Sequence, residues 1–376
     1  MGAHPPDNSA RLSGVTRRRG RTLEVETLAE LDERLSRGAR SLSGWHLRSL
    51  DLAERADALR EVDVNGALFL GCTFAPGGER DLRTRGALIF PVVPDVPVDT
   101  YRAQLYSPAE LYDGLATSYH ATLDARVYAW SKQTGSREMS LAKALHDHSI
   151  DDALRRFVDD KPLVGVMGGH ALERGSPEYV DAARLGQALA SNGWFVCTGG
   201  GPGAMEAANL GAYLARHDAD DLDKAVKTLS AVPAFRPSVT EWAGAAFEVL
   251  DRWPEGRDSL GIPTWHYGHE PPNAFATSIA KYFKNAIRED ILLHVCSAGI
   301  VFLPGAGGTV QEIFQDACEN YYADATSVAP MVLVGKKYWT ETVPAWPLLH
   351  SLARDRAMQP VVHLVDDPAE VAPLLA

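Results

Sequence analysis

Cysteine is scarce in this sequence: Cys72, Cys197, Cys296 and Cys318 are far apart, and none forms a Cys-x-x-Cys pair. That excludes a disulfide scaffold, a thiolate zinc site and a dithiol redox cycle, and the four thiols are expected to be reduced and mostly buried. Long apolar runs are missing as well. The longest, such as Gly299–Leu303 and Met331–Val334, fall far short of the roughly 18 residues that span a bilayer. Met1 to Gly20 is polar, proline-bearing and arginine-rich, without the apolar centre of a secretory signal, so the chain is expected in the cytoplasm and off the membrane. Positive charge is in deficit, with 37 basic against 49 acidic side chains and a formal charge of −12. That balance argues against nucleic acid as a partner. The one basic run, Arg17, Arg18, Arg19 and Arg21, has no interleaved aromatic residues and reads as a solvated tail.

What is present is ordinary globular composition, 45% apolar and 23% charged over 376 residues, enough to bury a sizeable core. Residues 1–22 read as a flexible tail and residues 23–150 as an N-terminal accessory α/β unit. The latter shows helical spacing over Leu28–Arg37, Ser107–Leu123 and Ser140–Phe157, and apolar runs at Ala67–Leu70 and Ala87–Val93. The second run enters Pro91–Pro97, too proline-dense for a central strand. No internal repeat is read. His146-Asp-His148 places its two imidazoles on different helix faces and is not read as a metal site.

Residues 151–376 carry a sharper order. Strand-like runs at Leu163–Met167, Trp194–Thr198, Gly299–Leu303, Met331–Val334 and Val361–Val365 alternate with helical patterns. Such alternation predicts a Rossmann-like, doubly wound, mainly parallel sheet, here with the accessory α/β unit in front of it.

Two glycine loops stand where a predicted strand gives way to a helix: Thr198-Gly-Gly-Gly-Pro-Gly-Ala-Met205 and Leu303-Pro-Gly-Ala-Gly-Gly-Thr309. Glycine lets backbone approach a ligand closely, and the free N–H groups of a helix start favour an anion. Tight βα turns alone would also explain the glycines. Because parallel strands end on one side of a sheet, both loops can flank one crevice. Neither has the Gly-Lys-Ser/Thr of a Walker loop or the G-x-G-x-x-G spacing of a dinucleotide site, which favours a mononucleotide or sugar phosphate. Phosphate contacts are expected from Gly200, Gly201, Gly203, Ala204 and Met205 in one loop and from Gly305, Ala306, Gly307, Gly308 and Thr309 in the other. Thr309 and Glu312 read equally as a capping box and as a carboxylate one turn from bound phosphate, able to face a sugar on which positive charge develops.

Gly199-Gly-Gly-Pro-Gly-Ala-Met205 and Pro304-Gly-Ala-Gly-Gly-Thr-Val-Gln-Glu312 resemble the paired signatures of the lonely-guy (LOG) family, often mislabelled as lysine decarboxylases. Glu270-Pro-Pro-Asn273 is more similar to the bacterial nucleotide 5′-monophosphate nucleosidases, which also carry an N-terminal extension. The resemblance covers about residues 161–376. It implies a Rossmann-like fold, a homodimer or higher homo-oligomer, and a phosphoribohydrolase that cuts the N-glycosidic bond of a nucleoside 5′-monophosphate without cofactor or metal. It further implies Glu312 as catalytic glutamate, Arg288 as its partner arginine, and Gly305, Gly308 and Thr309 as phosphate loop. Two positions depart from the family pattern: Ala306 replaces a glycine, and Arg288 lies one residue farther from Pro304. A non-catalytic nucleotide sensor is the alternative. The decarboxylase label lacks support, since neither Lys281 nor Lys284 stands in a recognisable pyridoxal-phosphate context.

Overall fold

Parallel strands joined through helices make up both parts of the chain. The computed structural model describes residues 22–133, 135–266 and 270–375; the arginine run and the expected tail up to residue 21 lie outside the described residues. Two compact units meet at Val92 and Val93.

In the first unit, β1 (Leu23–Val25), β2 (Trp45–Arg48), β3 (Leu68–Leu70) and β4 (Leu88–Phe90) pair in chain order, all parallel. Helices Leu28–Ser36, Ala56–Arg60 and Gly78–Thr84 make the returns. The unit is a repeat, contrary to the sequence reading: Leu23 pairs with Trp45, His46 with Leu68 and Leu68 with Leu88, steps of 22, 22 and 20 residues. Val25, Leu47, Phe69 and Ile89 stack inside it. Gly44, Gly66 and Gly86, all at positive φ, turn the chain into successive strands. Each repeat buries its apolar face only against its neighbours. Three glycines and a few aliphatic positions are its whole sequence signal, too little to stand out against otherwise divergent helices. β4 is an edge strand that stops at Phe90, just before the proline-dense stretch.

The second unit holds β5 (Leu163–Met167), β6 (Phe195–Thr198), β7 (Leu260–Gly261), β8 (Ser278–Ile279), β9 (Ile300–Phe302), β10 (Met331–Val334) and β11 (Val362–Val365). Their order is β11-β10-β9-β5-β6-β7-β8, parallel throughout. This is the expected Rossmann-like doubly wound sheet, with its order reversing between β5 and β9. Side chains alternate across it, as strand geometry requires. Val164 and Val166 join one core under helices Pro177–Ser191 and Ala204–Tyr213, while Leu163 and Met167 join the other under helices Asn285–His294 and Gly307–Tyr322. Strands buried on both faces explain the uninterrupted apolar runs that made them legible.

The division expected at residue 150 falls inside a 22-residue helix, Arg137–Val158, and is corrected to residue 92. Residues 93–158 belong to the second unit because they complete its core. Ile150 and Leu154 enter it, and Tyr106 exchanges backbone hydrogen bonds with Ile279 of β8. Asp124, 1% exposed, accepts from Lys281 Nζ at 2.6 Å and Trp265 Nε1 at 2.7 Å. Asp147 accepts from the Phe283 and Lys284 amides at 2.9 and 3.0 Å. His146 is buried with Nε2 2.7 Å from Tyr106 Oη, whereas His148 is exposed. Cys72, Cys197 and Cys296 are buried and Cys318 is exposed, all as free thiols. No helix among the described residues is long and apolar enough to cross a membrane.

Removing one partner of a buried ion pair strands the other charge and costs about 3–5 kcal/mol. A chain starting at Val93 is therefore expected to fold, and one starting at Asp151, which leaves Lys281 without Asp124, is expected not to. Circular dichroism and a thermal melt of the two truncations check this; a cooperative melt of the shorter one would restore the boundary at 150.

Candidate functional site

Where strand order reverses, the loops after adjacent strands part and leave a crevice at their carboxyl ends. Three loops meet there, following β5, β6 and β9. Gly169 sits between the other two: its N–H donates to Pro304 O and its carbonyl accepts from Ala204 N, both at 3.1 Å. A Cβ at Gly203 would lie 2.4 Å from Gly169 O, and one at Gly305 would lie 2.2 Å from Thr309 Oγ1 and 3.2 Å from Gly169 N. Gly200 and Gly203 also take φ of +71° and +73°. Positive φ and neighbouring loops at Gly200 and Gly203, and the Thr309 side chain at Gly305, thus account for these three glycines without any ligand. At Gly201 the nearest atom is the flexible end of Met205, whose thioether packs against the loop, and Ala204 is buried.

The start of helix Gly307–Tyr322 is different. Its N-cap is Ala306, with no side-chain cap and no acidic residue in the first turn. Gly307 and Gly308 are exposed, and a Cβ on either would meet nothing within 4 Å. Their N–H groups, with that of Thr309, belong to the first turn and have no intrahelical acceptor, which makes an open anion cradle. The capping-box reading is overturned: the helix begins three residues earlier than Val310, so Thr309 lies inside its first turn, against Gly305, and Glu312 lies beyond it. Tyr338 Oη donates to Gly305 O at 2.8 Å and steadies the loop.

Glu312 and Arg288 come together, although separate helices carry them. Arg288 Nη1 is 3.2 Å from Glu289 Oε2 and 3.8 Å from Glu312 Oε1, and it lies 3.7 Å from the Cβ position of Gly199. The arginine therefore links the carboxylates to the first glycine loop. Glu289, absent from the sequence reading, accepts from Asn285 Nδ2 at 3.2 Å. Burial lifts the Glu312 carboxyl to about 8, Glu289 adds to the rise, and Arg288 opposes it. One turn on, burial also lifts Asp316 to about 8, with Glu319 adding. Among the described residues no group of three or more His, Cys, Asp or Glu side chains is placed to hold a metal.

The glycine loop is held from behind by Asn273. Its N–H donates to Gly200 O at 2.8 Å, and its Nδ2 donates to Gly201 O at 3.2 Å and Asn209 Oδ1 at 3.1 Å. Its Oδ1 accepts from the Phe275 and Ala276 amides. Thr198 Oγ1 donates to Asn209 Oδ1 at 2.6 Å and accepts from Gly200 N at 2.9 Å. The Glu270-Pro-Pro-Asn273 motif was the signal for this residue, but no periodicity could give its role.

A cavity of about 310 Å³ opens beside Pro202 and Gly203, bounded also by His170, Phe235, Arg236 and Glu270. Neither Glu312 nor the Gly305–Thr309 loop lines it. At its base Arg174 and Glu206 form a buried pair, with Nε–Oε2 at 2.9 Å and Nη2–Oε1 at 2.5 Å.

Residues 161–217 match the SLOG cluster4 family. The match takes in β5, β6 and the Gly199–Met205 loop and stops well before Pro304. No curated protein matches the chain significantly. Among solved structures, the molybdenum cofactor binding protein from the phototrophic bacterium Rippkaea orientalis is 20% identical, with 58% of this chain and 96% of that one covered and a TM-score of 0.35. The Moco carrier protein from Chlamydomonas reinhardtii is 21% identical, with coverage of 57% and 98% and a TM-score of 0.35.

Two outcomes follow from this geometry. Gly305→Ala should destabilise the fold, because its methyl would overlap Thr309. Gly308→Ala, helical and open, should be neutral or stabilise by up to about 1 kcal/mol; equal melting shifts would contradict the sorting. Second, a carboxyl whose folded pKa is raised keeps its proton while the unfolded chain loses its own. Stability should therefore fall as pH rises from about 4.5 towards 8 and level off above it. Glu312→Gln and Asp316→Asn should each raise the melting midpoint at pH 8 by a few degrees and have little effect at pH 4, as read by scanning calorimetry.

Proposed function

We propose that this protein hydrolyses the N-glycosidic bond of a nucleoside 5′-monophosphate, releasing the base and ribose 5-phosphate. The observation that carries this reading is the buried Glu312 carboxyl beside Arg288, one turn from an uncapped helix start with two open glycines. The phosphate would sit on the N–H groups of Gly307, Gly308 and Thr309, fixing the ribose over Glu312. The bond from C1′ to the base nitrogen breaks with its electron pair on the base. Water then forms the new C1′–O bond; Glu312 stabilises the cationic sugar, takes the proton from that water and passes it to the departing base nitrogen, which returns the carboxylate to its starting state. Glu312 must be ionised to do so, and Arg288 is placed to shift from Glu289 towards it. The resemblance to the LOG signatures supports the reading, and the SLOG grouping matched by residues 161–217 includes LOG-like proteins. A homodimer is part of the same proposal.

A second reading, a nucleotide-binding protein without turnover, is favoured by one observation: a Glu312 carboxyl lifted to about 8 is mostly neutral at pH 7. Chromatography of a mixed monophosphate pool separates the two, since a binder would give thermal stabilisation without free base. Under the hydrolase reading, kcat/KM rises with pH between about 6 and 8 as Glu312 ionises. Glu312→Gln should retain monophosphate binding and lose at least about 100-fold in kcat. Near-normal base release by that variant would remove Glu312 from the chemistry.

A further inference from the structure

We propose that the cavity beside Pro202 and Gly203 is the subsite for the heterocyclic base, and that Glu270 is its specificity-determining residue, selecting an exocyclic amino group. This rests on the nucleotide reading above and adds to it the part of the ligand that the phosphate cradle and Glu312 leave unread.

Continuity comes from the glycine loop. Gly199, at one end, faces Arg288; Pro202 and Gly203, at the other, line the cavity. The Cα of Gly203 can lie no farther than roughly 14 Å from that of Gly199. A nucleoside monophosphate is of the length needed to bridge that span. Glu270 stands at the junction, with Oε2 3.8 Å from the Cβ position of Gly201.

The cavity suits a flat ring with a polar edge. Phe235 and Pro202 supply apolar wall, and the Arg236 guanidinium lies 5.6 Å from the Phe235 ring centroid. The buried charges at the base are committed elsewhere. Arg174 is bidentate on Glu206 and donates to Trp242 O at 2.9 Å, and Glu206 also accepts from Tyr179 Oη at 3.1 Å. The carboxylate of Glu270 is more accessible. Its ion-pair partner among the described residues is His170, with Nδ1 at 3.6 Å and both side chains substantially exposed. An ionised carboxylate only accepts hydrogen bonds. It therefore rewards an amino group on the ring edge and is repelled by a keto oxygen in the same place. Glu173 also lines the cavity, on the loop after β5.

The test uses the full chain and titrates adenine and hypoxanthine, which differ in a 6-amino against a 6-oxo group, with ribose 5-phosphate titrated separately, all by calorimetry. Adenine should bind about tenfold more tightly than hypoxanthine. Glu270→Gln, whose amide serves either edge, should bring the two within about twofold at an unchanged melting midpoint. Glu173→Gln should leave the preference intact. Equal affinities in the wild type, a preference that survives Glu270→Gln, or no binding of either base at millimolar concentration would overturn the subsite. A Glu270-dependent adenine preference without ribose 5-phosphate binding or base release would keep the subsite and sink the hydrolase reading, so the two can fail separately.

Discussion

Three backbone segments crowd around Gly169, and the shape of the crevice depends on that contact. The loop after β5 is clamped between the loops after β6 and β9, with hydrogen bonds to Ala204 and Pro304 on either side. Side chains are excluded at Gly203 and Gly305 because their Cβ positions are already occupied. The approach holds the two glycine loops at fixed separation across the point where strand order reverses. It also leaves Gly307 and Gly308, just beyond it, facing open space. Crowding and openness within one run of five residues are what turn a tight turn into a cradle.

Buried charge is the second constraint. Asp124 with Lys281 and Arg174 with Glu206 are paired and hydrogen-bonded on nearly all sides, and each ties distant parts of the second unit together. Glu312 and Asp316 are buried without equivalent compensation; Arg288 spends its closer contact on Glu289, and Asp316 Oδ2 finds no protein partner among the described residues. Burying an ionised carboxylate is costly, so these groups hold their protons to high pH instead. The two pairs show that this chain can neutralise a buried charge. Of the uncompensated carboxyls, Glu312 lies 3.8 Å from Arg288 at the crevice, and perturbed carboxyls of this kind cluster at functional sites.

The first unit obeys a different logic. Its strands pair with their neighbours in chain order, so its contacts are local, and positive-φ glycines set each return. The second unit closes the centre of its sheet by pairing strands more than a hundred residues apart, β5 and β9. That long-range pairing brings Arg288 and Glu312 to the same place as Gly199.

The sequence by itself determined the doubly wound sheet, because strands buried on both faces must be apolar throughout and glycine must stand where their ends turn tightly. It also marked both loops, Glu312 and Arg288 by resemblance. Only the tertiary structure decided which glycines are crowded and which are open, since the clash comes from the loop after β5 at Gly203 and from the folded-back Thr309 side chain at Gly305. It moved the domain boundary from 150 to 92, because Asp124 and Asp147 find their partners more than a hundred residues away. It replaced the capping box with an uncapped helix start, because the helix begins as soon as the chain clears Gly305. It added Glu289 and Asn273, whose roles lie in contacts across elements that no local spacing records.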